Sequence, residues 1–458
     1  MSRSLFALLV LACPVLLATQ DAAVRVVVLN HVKVLDLTGG PAREDMAVVI
    51  RGSRIAAVTP ANTVAVPSGA EVLDLSGKVA LPGLADMHHH LGTGASMPGP
   101  PGPGQEVTRE EPRNLAQMLA WGFTTIFSTS HPNPDIEEFI SLRRQANEDA
   151  APMPRFFGVG RAISVAGGHA SQPRFASFLP TSADEARANV RTLHAAGVDG
   201  IKLIYADQAH TGRPPVAAMP IAIMSAIIEE AHAVGLRAFV HAPQLRFAKE
   251  ALRAGADGLV HSIADAPVDD EFIDLMKKNR ASYTTTLASY HAFADVAAWM
   301  RQLRALDARG AVPENVTARF QDPNGAKAYH AFFGTFPPDN LAYARANVRR
   351  VFDAGIPVLA GTDSGVTGVL LGVSSQMELV LLVEAGLTPA AALRCATLTP
   401  ASVLGREKDL GSVELNKLAD ILLLDADPTI DIRNIAKVHR VVKGGVVYDP
   451  VRLVGISR

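Results

Sequence analysis

The sequence predicts an α/β fold: a (β/α)₈ TIM barrel carrying a small β-sandwich domain formed from both chain termini. Three observations point there. Both ends of the 458-residue chain carry short β-rich runs separated by turns. The middle instead alternates apolar, β-branched runs with amphipathic stretches. Those stretches repeatedly end in glycine, the residue that takes the left-handed conformation at a helix C-terminus most easily.

At the N-terminus, Arg3 precedes an apolar run over 5–17, followed by Thr19, Gln20 and Asp21. A bilayer span needs about 20 apolar residues, so this pattern is read as a signal peptide over 1–21. The expectation is an exported protein, periplasmic or secreted, with no transmembrane span in the mature chain. Ala18 and Ala23 are both small residues near a cleavage point. An uncleaved interfacial anchor is an alternative. So is lipid attachment at Cys13, although Leu11 and Pro14 fit a lipobox poorly. Without the leader Cys395 is the single cysteine, which excludes an intramolecular disulfide. Its apolar helical setting over 390–397 reads as that of a buried structural thiol.

Strands are expected over 26–37, over 46–58 around Arg51-Gly52-Ser53-Arg54, and over 71–75. They return at 419–424, 438–442 and 446–448 around Gly444-Gly445. Residues 22–81 and 406–458 are therefore assigned to one composite β-sandwich domain, and 82–405 to the barrel. Within the latter region, extended at its start, eight buried strands are expected: 79–87, 124–129, 156–159, 200–205, 238–241, 258–263, 282–287 and 358–362. Eight parallel strands with interleaved helices are the number that closes a barrel. A doubly wound open sheet is the alternative. Helix stops fall at Gly122, Gly197, Gly235, Gly255 and Gly355. The segment 92–106 is too rich in proline and glycine for a helix or strand. It is either a lid over the barrel mouth or a solvated insertion.

Composition narrows the partners. With 48% hydrophobic residues, 19% charged residues and a formal net charge of -2, the chain is globular and offers no electrostatic case for nucleic acid. A small-molecule substrate is expected, and a homo-oligomer stays open.

Chemistry concentrates at the strand ends. In Asp86-Met87-His88-His89-His90, residues two apart share a strand face, so His88 and His90 point together into the barrel and His89 points away. Two imidazoles on one face make half of a metal site. His241, His261 and Asp363 each end an apolar strand, and in a barrel such caps converge on one mouth. Lys202 lies inside Gly200-Ile201-Lys202-Leu203-Ile204, where a charged amine is expelled unless chemistry retains it. His232, His31, His194 and His439 are read as solvated or packed histidines.

The chain resembles the amidohydrolase superfamily, in its imidazolonepropionase-related and prolidase-like branch. The matching residues run from Pro82 to His90 and include Gly167-Gly168-His169, Ile201-Lys202, Val240-His241-Ala242, Val260-His261-Ser262, Gly361-Thr362-Asp363 and Lys417-Leu418-Ala419-Asp420-Ile421. The resemblance implies two divalent metal ions, with zinc expected, bridged by Lys202 carboxylated on its amine. His88, His90 and Asp363 would hold one ion and His241 and His261 the other. It further implies that a metal-bridging hydroxide attacks a small substrate and that Asp363 carries the proton. His169 resembles a position near the substrate that stabilises an oxyanion, its alternative being a loop histidine bound to backbone. Tyr205, three residues past Lys202, is a candidate substrate contact. Ala206-Asp207-Gln208 stands where family members show a glycine pair.

The implied activity is hydrolysis of an amide C–N bond in a dipeptide, N-acyl amino acid or cyclic amide. Hydrolysis of a lactone or phosphoester at the same site is the alternative. A mononuclear deaminase would lack the strand lysine, and a non-catalytic barrel scaffold should be missing ligand residues. All six are present.

Overall fold

The computed structural model of the protein describes residues 24–91, 111–131, 135–307 and 309–455. The leader expected over 1–21, with Cys13, and the proline- and glycine-rich segment 92–106 lie outside the described residues. No helix among the described residues is long and apolar enough to cross a membrane.

The first strands are β1 (Val26–Val34), β2 (Arg43–Arg51), β3 (Arg54–Pro60), β4 (Glu71–Asp74) and β5 (Val79–Pro82). Eight further strands follow: β6 (Leu84–His90), β7 (Phe123–Ser130), β8 (Arg155–Gly158), β9 (Ile201–Ile204), β10 (Ala238–His241), β11 (Gly258–Val260), β12 (Ser282–Thr284) and β13 (Val358–Leu359). The last are β14 (Ile421–Leu424), β15 (Val438–Lys443) and β16 (Val446–Tyr448).

Strands from both ends form a single eight-stranded sheet in the order β16-β15-β14-β5-β1-β2-β3, with β4 paired to β1. A β-sandwich was expected here, and its strands are hydrogen-bonded into one continuous sheet. β1 changes partner along its length. Val27 to Asn30 pair with β4, whereas Lys33 and Val34 pair with β5. Between them the β1–β2 register shifts and His31 takes a φ of 56°, the bulge geometry that turns a strand. Val27, Leu29, Val48, Ile50, Ile421, Leu423 and Val442 pack together on one side as the sheet's own core.

The expected strand 79–87 divides at Gly83. Its first half, β5, pairs with β14 and β1; its second half, β6, pairs with β7. A Cβ at Gly83 would fall 2.1 Å from Thr124 Oγ1, so only glycine lets the chain pass from one sheet to the next.

The middle of the chain holds two parallel sheets, β6-β7-β8 and β9-β10-β11-β12-β13. Their edges are joined by isolated hydrogen bonds. At one seam Ile163 N donates to Lys202 O (2.9 Å) and Ile204 N to Ile163 O (3.0 Å). At the other, Met87 N donates to Ala360 O (2.9 Å), Asp363 N to His88 O (2.8 Å) and His90 N to Ser364 O (2.8 Å). Helices between the strands stop as expected: Gly197 and Gly255 take φ of 78° and 102°. Cys395 is buried, and burial pushes its thiol up to about 12.

The terminal sheet is tied to the parallel strands by buried charge. Arg155 on β8 donates from Nε to Asp420 Oδ2 (2.7 Å) and from Nη2 to Asp420 Oδ1 (3.1 Å), and reaches Asp149 at 3.0 Å. Lys443 on β15 donates to the carbonyls of Ala146 (2.9 Å) and Glu148. Removing one partner of a buried pair strands the other charge. Arg155→Ala is therefore expected to destabilise the protein by about 3–5 kcal/mol, measured by urea unfolding; a loss under about 1 kcal/mol would show that this latch is dispensable.

Candidate active site

His88 and His90 lie on one face at the end of β6, whereas the β6–β7 register shifts between Asp86 and His89 and Asp86 turns to Thr362 and Ser375 instead. His88 is 1% exposed, and its ring meets that of His261 at 4.6 Å between centroids and that of His90 at 5.2 Å. His261 meets His241 at 4.4 Å, and His241 stacks on His169 at 4.9 Å. Five imidazoles thus run in one contiguous chain, from His90 through His88, His261 and His241 to His169. Asp363 Oδ1 lies 2.8 Å from His90 Nε2 and 3.2 Å from His88 Nε2.

Most of these rings are held on one nitrogen. His90 Nδ1 is hydrogen-bonded to Ser130 Oγ (2.8 Å), His261 Nδ1 to Thr286 Oγ1 (2.8 Å), and His241 Nε2 accepts from the Gln208 amide (2.7 Å). His88 differs. It lies close to Asp363 without the alignment of a hydrogen bond, so both its nitrogens are buried without a hydrogen-bond partner among the described residues. A buried polar atom left unpaired is costly, and a ligated cation is one way to satisfy it. Ligand atoms of His88, His261 and Asp363 all lie within 4.8 Å of one another, a spacing suited to one metal ion.

Burial sets the charge state. It lowers His88 to about 3 and His169 to about 4, and takes His241 and His261 well below the usual histidine range. These rings are neutral at pH 7, the form that donates a lone pair to a metal. Burial works to raise the Asp363 carboxyl, yet the neighbouring His88 and His90 outweigh it and hold the group well below the usual carboxylate range. Lys202 on β9 is 3% exposed, and burial lowers its amine to about 7. Near neutral pH a large share of this amine is therefore uncharged.

Of the residues singled out from sequence, His88, His90, His241, His261, Asp363 and His169 are brought into direct contact, with Lys202 buried on the neighbouring strand. Tyr205 is not brought to the site. Its hydroxyl donates to Glu250 Oε2 (2.5 Å) and its ring packs on Phe247 in the helix Leu245–Arg253. The reason is the strand period: residue 205 lies on the face of β9 opposite Lys202.

Sequence reasoning missed two buried carboxylates. Asp86 accepts from the backbone of His88 (3.1 Å) and Thr362 (3.2 Å), and from the hydroxyls of Thr362 (2.6 Å) and Ser375 (2.7 Å). It ties His88 to the segment carrying Asp363. Glu378, in the helix Val373–Glu384, accepts from Thr285 Oγ1 and from the amides of Leu287 (3.0 Å) and Ala288 (2.7 Å). Plain alternation would group Asp86 with His88, but the register shift between Asp86 and His89 turns Asp86 to Thr362 and Ser375, and no local pattern marks that shift. Nothing in the chain around Glu378 marked it as buried.

Comparison with known proteins agrees with this geometry. A curated imidazolonepropionase of Geobacillus kaustophilus (strain HTA426) is 33% identical over 106 residues, covering 22% of this chain. The match spans only 25% of that enzyme's length. Among solved structures, a Xaa-Pro dipeptidase with bound methionine in its active site superposes with a TM-score of 0.72 at 25% identity, over 93% of this chain and 100% of its own. A putative prolidase from Bifidobacterium longum gives 0.73 at 26% identity, over 95% and 99%. The sequence model of the Amidohydrolase family matches residues 79–448. With so much of the chain taken in by that match, and the histidine and aspartate cluster inside it, this protein belongs to the Amidohydrolase family.

Proposed function

We propose that the chain is a hydrolase of carbon–nitrogen bonds that cleaves an amide in a small substrate such as a dipeptide, N-acyl amino acid or cyclic amide. The observation that carries this reading is the run of contacting imidazoles on the Asp363 carboxylate, with both His88 nitrogens buried and, among the described residues, without a hydrogen-bond partner. Likeness over nearly the full chain to a Xaa-Pro dipeptidase and a putative prolidase supports the amide class.

In this reading two divalent ions, zinc expected, are held at the site. His88, His90 and Asp363 would hold one, His241 and His261 the other, and Lys202 would serve both once carboxylated on its amine. The donor set fits: uncharged imidazoles at His88, His241 and His261, one ionised carboxylate and an amine that burial leaves partly unprotonated and so able to add to carbon dioxide. Bound divalent ions supply polarisation of the scissile carbonyl and acidification of water.

The chain's own groups do the rest. Asp363, ionised and fixed against His88 and His90, takes the proton of the attacking water and returns it to the leaving nitrogen. His169, partly exposed and neutral, is placed by its stacking on His241 to donate an N–H to the oxyanion that forms on the carbonyl.

The same reading joins the two parallel sheets through their seam hydrogen bonds into one (β/α)₈ barrel over 82–405, with 22–81 and 406–458 forming the terminal domain. It keeps the N-terminal apolar run as an export signal, which places the protein in the periplasm or outside the cell.

Metal analysis of the purified full chain, grown with zinc and bicarbonate, should find two equivalents of divalent metal; well under one would sink the binuclear centre. A screen of dipeptides, N-acyl amino acids, cyclic amides, lactones and phosphotriesters tests the substrate class. Turnover confined to lactones or phosphotriesters would overturn the amide assignment. Asp363→Asn should lower kcat about 10²–10⁴-fold with the fold retained, read by steady-state kinetics beside circular dichroism. Lys202→Ala should lose metal and activity together, with partial rescue by short carboxylic acids. Full activity in that variant would remove Lys202 from the site.

A further inference from the structure

We propose that Glu378 is the positioning residue of His261, acting through the turn that begins the helix Leu287–Ala294. The carboxylate is 0% exposed and belongs to a different helix, Val373–Glu384, so its placement in the interior calls for an explanation.

The turn it grips is conformationally expensive. Thr286, the residue before the helix, has φ 53° and ψ 38°, a left-handed conformation that a β-branched side chain rarely takes. A threonine there would ordinarily use its hydroxyl to cap the first amides of the helix. This one makes no cap bond. Its Oγ1 is turned to His261 Nδ1 at 2.8 Å.

Glu378 does the capping in its place. Oε1 accepts from Leu287 N at 3.0 Å and from Thr285 Oγ1, and Oε2 accepts from Ala288 N at 2.7 Å. A carboxylate suits this position because the groups bonded to it, two amides and a hydroxyl, are donors and because it lies at the positive end of the helix. The same turn is wired to its surroundings by Thr286 N donating to Gly361 O (2.9 Å) and Ser262 N donating to Thr285 O (2.9 Å). With its cap supplied from outside, Thr286 is free to hold His261. Holding Nδ1 fixes the ring and leaves Nε2 for a ligand, the division of labour found behind metal-binding histidines.

The role in metal binding rests on the proposed metal centre, whereas the orientation of the His261 ring does not. Zinc affinity of the full chain, measured by competition with a chromophoric chelator, is expected to fall about 10–100-fold in Glu378→Gln, whose amide group would face donors with a donor. Thr286→Ala should weaken zinc to a similar degree, while Thr286→Ser, which keeps the hydroxyl, stays within about twofold of the parent on the same scale. Because both residues act through one linkage, the double variant Glu378→Gln with Thr286→Ala should be no weaker than the poorer single variant.

Nitrogen-15 spectra of the His261 ring, recorded without metal, should show its tautomer balance moving in Glu378→Gln and Thr286→Ala and not in Thr286→Ser. Unchanged zinc affinity with an unchanged ring in Glu378→Gln overturns the proposal, as do losses that multiply in the double variant. If Glu378→Gln fails to fold, Thr286→Ala retaining parental affinity and ring signals overturns it alone. A parent protein that binds no zinc defeats the metal centre instead, and the ring spectra then decide the positioning role.

Discussion

Everything at this site depends on the seam where β6 meets the segment after β13. Backbone bonds from Met87 to Ala360, Asp363 to His88 and His90 to Ser364 bring chain segments from opposite ends of the parallel-strand region together. Asp86 reinforces the seam from below, reaching Thr362, which is 276 positions away along the chain. Without these seam bonds the His88 and His90 pair would face no carboxylate. The approach is close enough that a Cβ at Gly361 would come within 2.8 Å of the His88 Cβ. Glycine at 361 thus permits the contact that Asp363 then exploits.

The site is also where the backbone departs from regular structure. His261, Thr286 and Asp363 take φ of 78°, 53° and 66°. Left-handed conformations of this kind cost about 1–3 kcal/mol each and persist only where surroundings over-determine them. Two buried carboxylates do so here. Burial raises Asp86 to about 6 and Glu378 to about 7, so each is itself costly to keep ionised. Their donors offset that cost, and the donors are the amides and hydroxyls of the strained segments. Strain and buried charge are therefore two halves of one arrangement: the carboxylate is held by the bent backbone, and the bent backbone by the carboxylate.

The sequence showed much of this through its periods. Apolar runs ending in His241 and His261 marked strands, and glycines at 197 and 255 marked helix stops, because those features depend on local backbone preference. Where tertiary contacts decide, the reading failed in specific ways. The run 79–87 looks continuous because the apolar pattern does not register that β5 and β6 have different partners. Tyr205 was misplaced by counting distance along the chain instead of parity: two-residue alternation puts Lys202 and residue 204 on one face and Tyr205 on the other. On β6 parity itself misleads: it groups Asp86 with His88, whereas the register shifts between Asp86 and His89 and Asp86 turns to Thr362 and Ser375. Glu378 gave no signal, since Val373–Glu384 buries its polar residues with its apolar ones and a carboxylate on a helix is ordinarily solvated. The Ala206-Asp207-Gln208 departure has a structural meaning that no pattern displayed: Gln208 adopts φ 65°, which a glycine would take freely, and its amide reaches His241 Nε2.

Electrostatics explains why such a packed set of titratable groups is stable and what it favours. His88, His169, His241 and His261 cannot all be protonated, because each charge would be buried beside the next; desolvation and mutual repulsion both lower their affinity for protons. The fixed charge that remains among them is the Asp363 carboxylate, so the cluster attracts cations while offering them neutral lone pairs. Two divalent ions would greatly overbalance a single carboxylate in so dry a setting. Lys202 is the residue able to correct this. Protonated, it would add to the excess; as a neutral amine it would leave it unchanged; carboxylated, it would contribute an anion at the place where the excess lies. In the proposed centre, the lowered basicity of Lys202 is thus the property that lets a core lysine become part of the metal site.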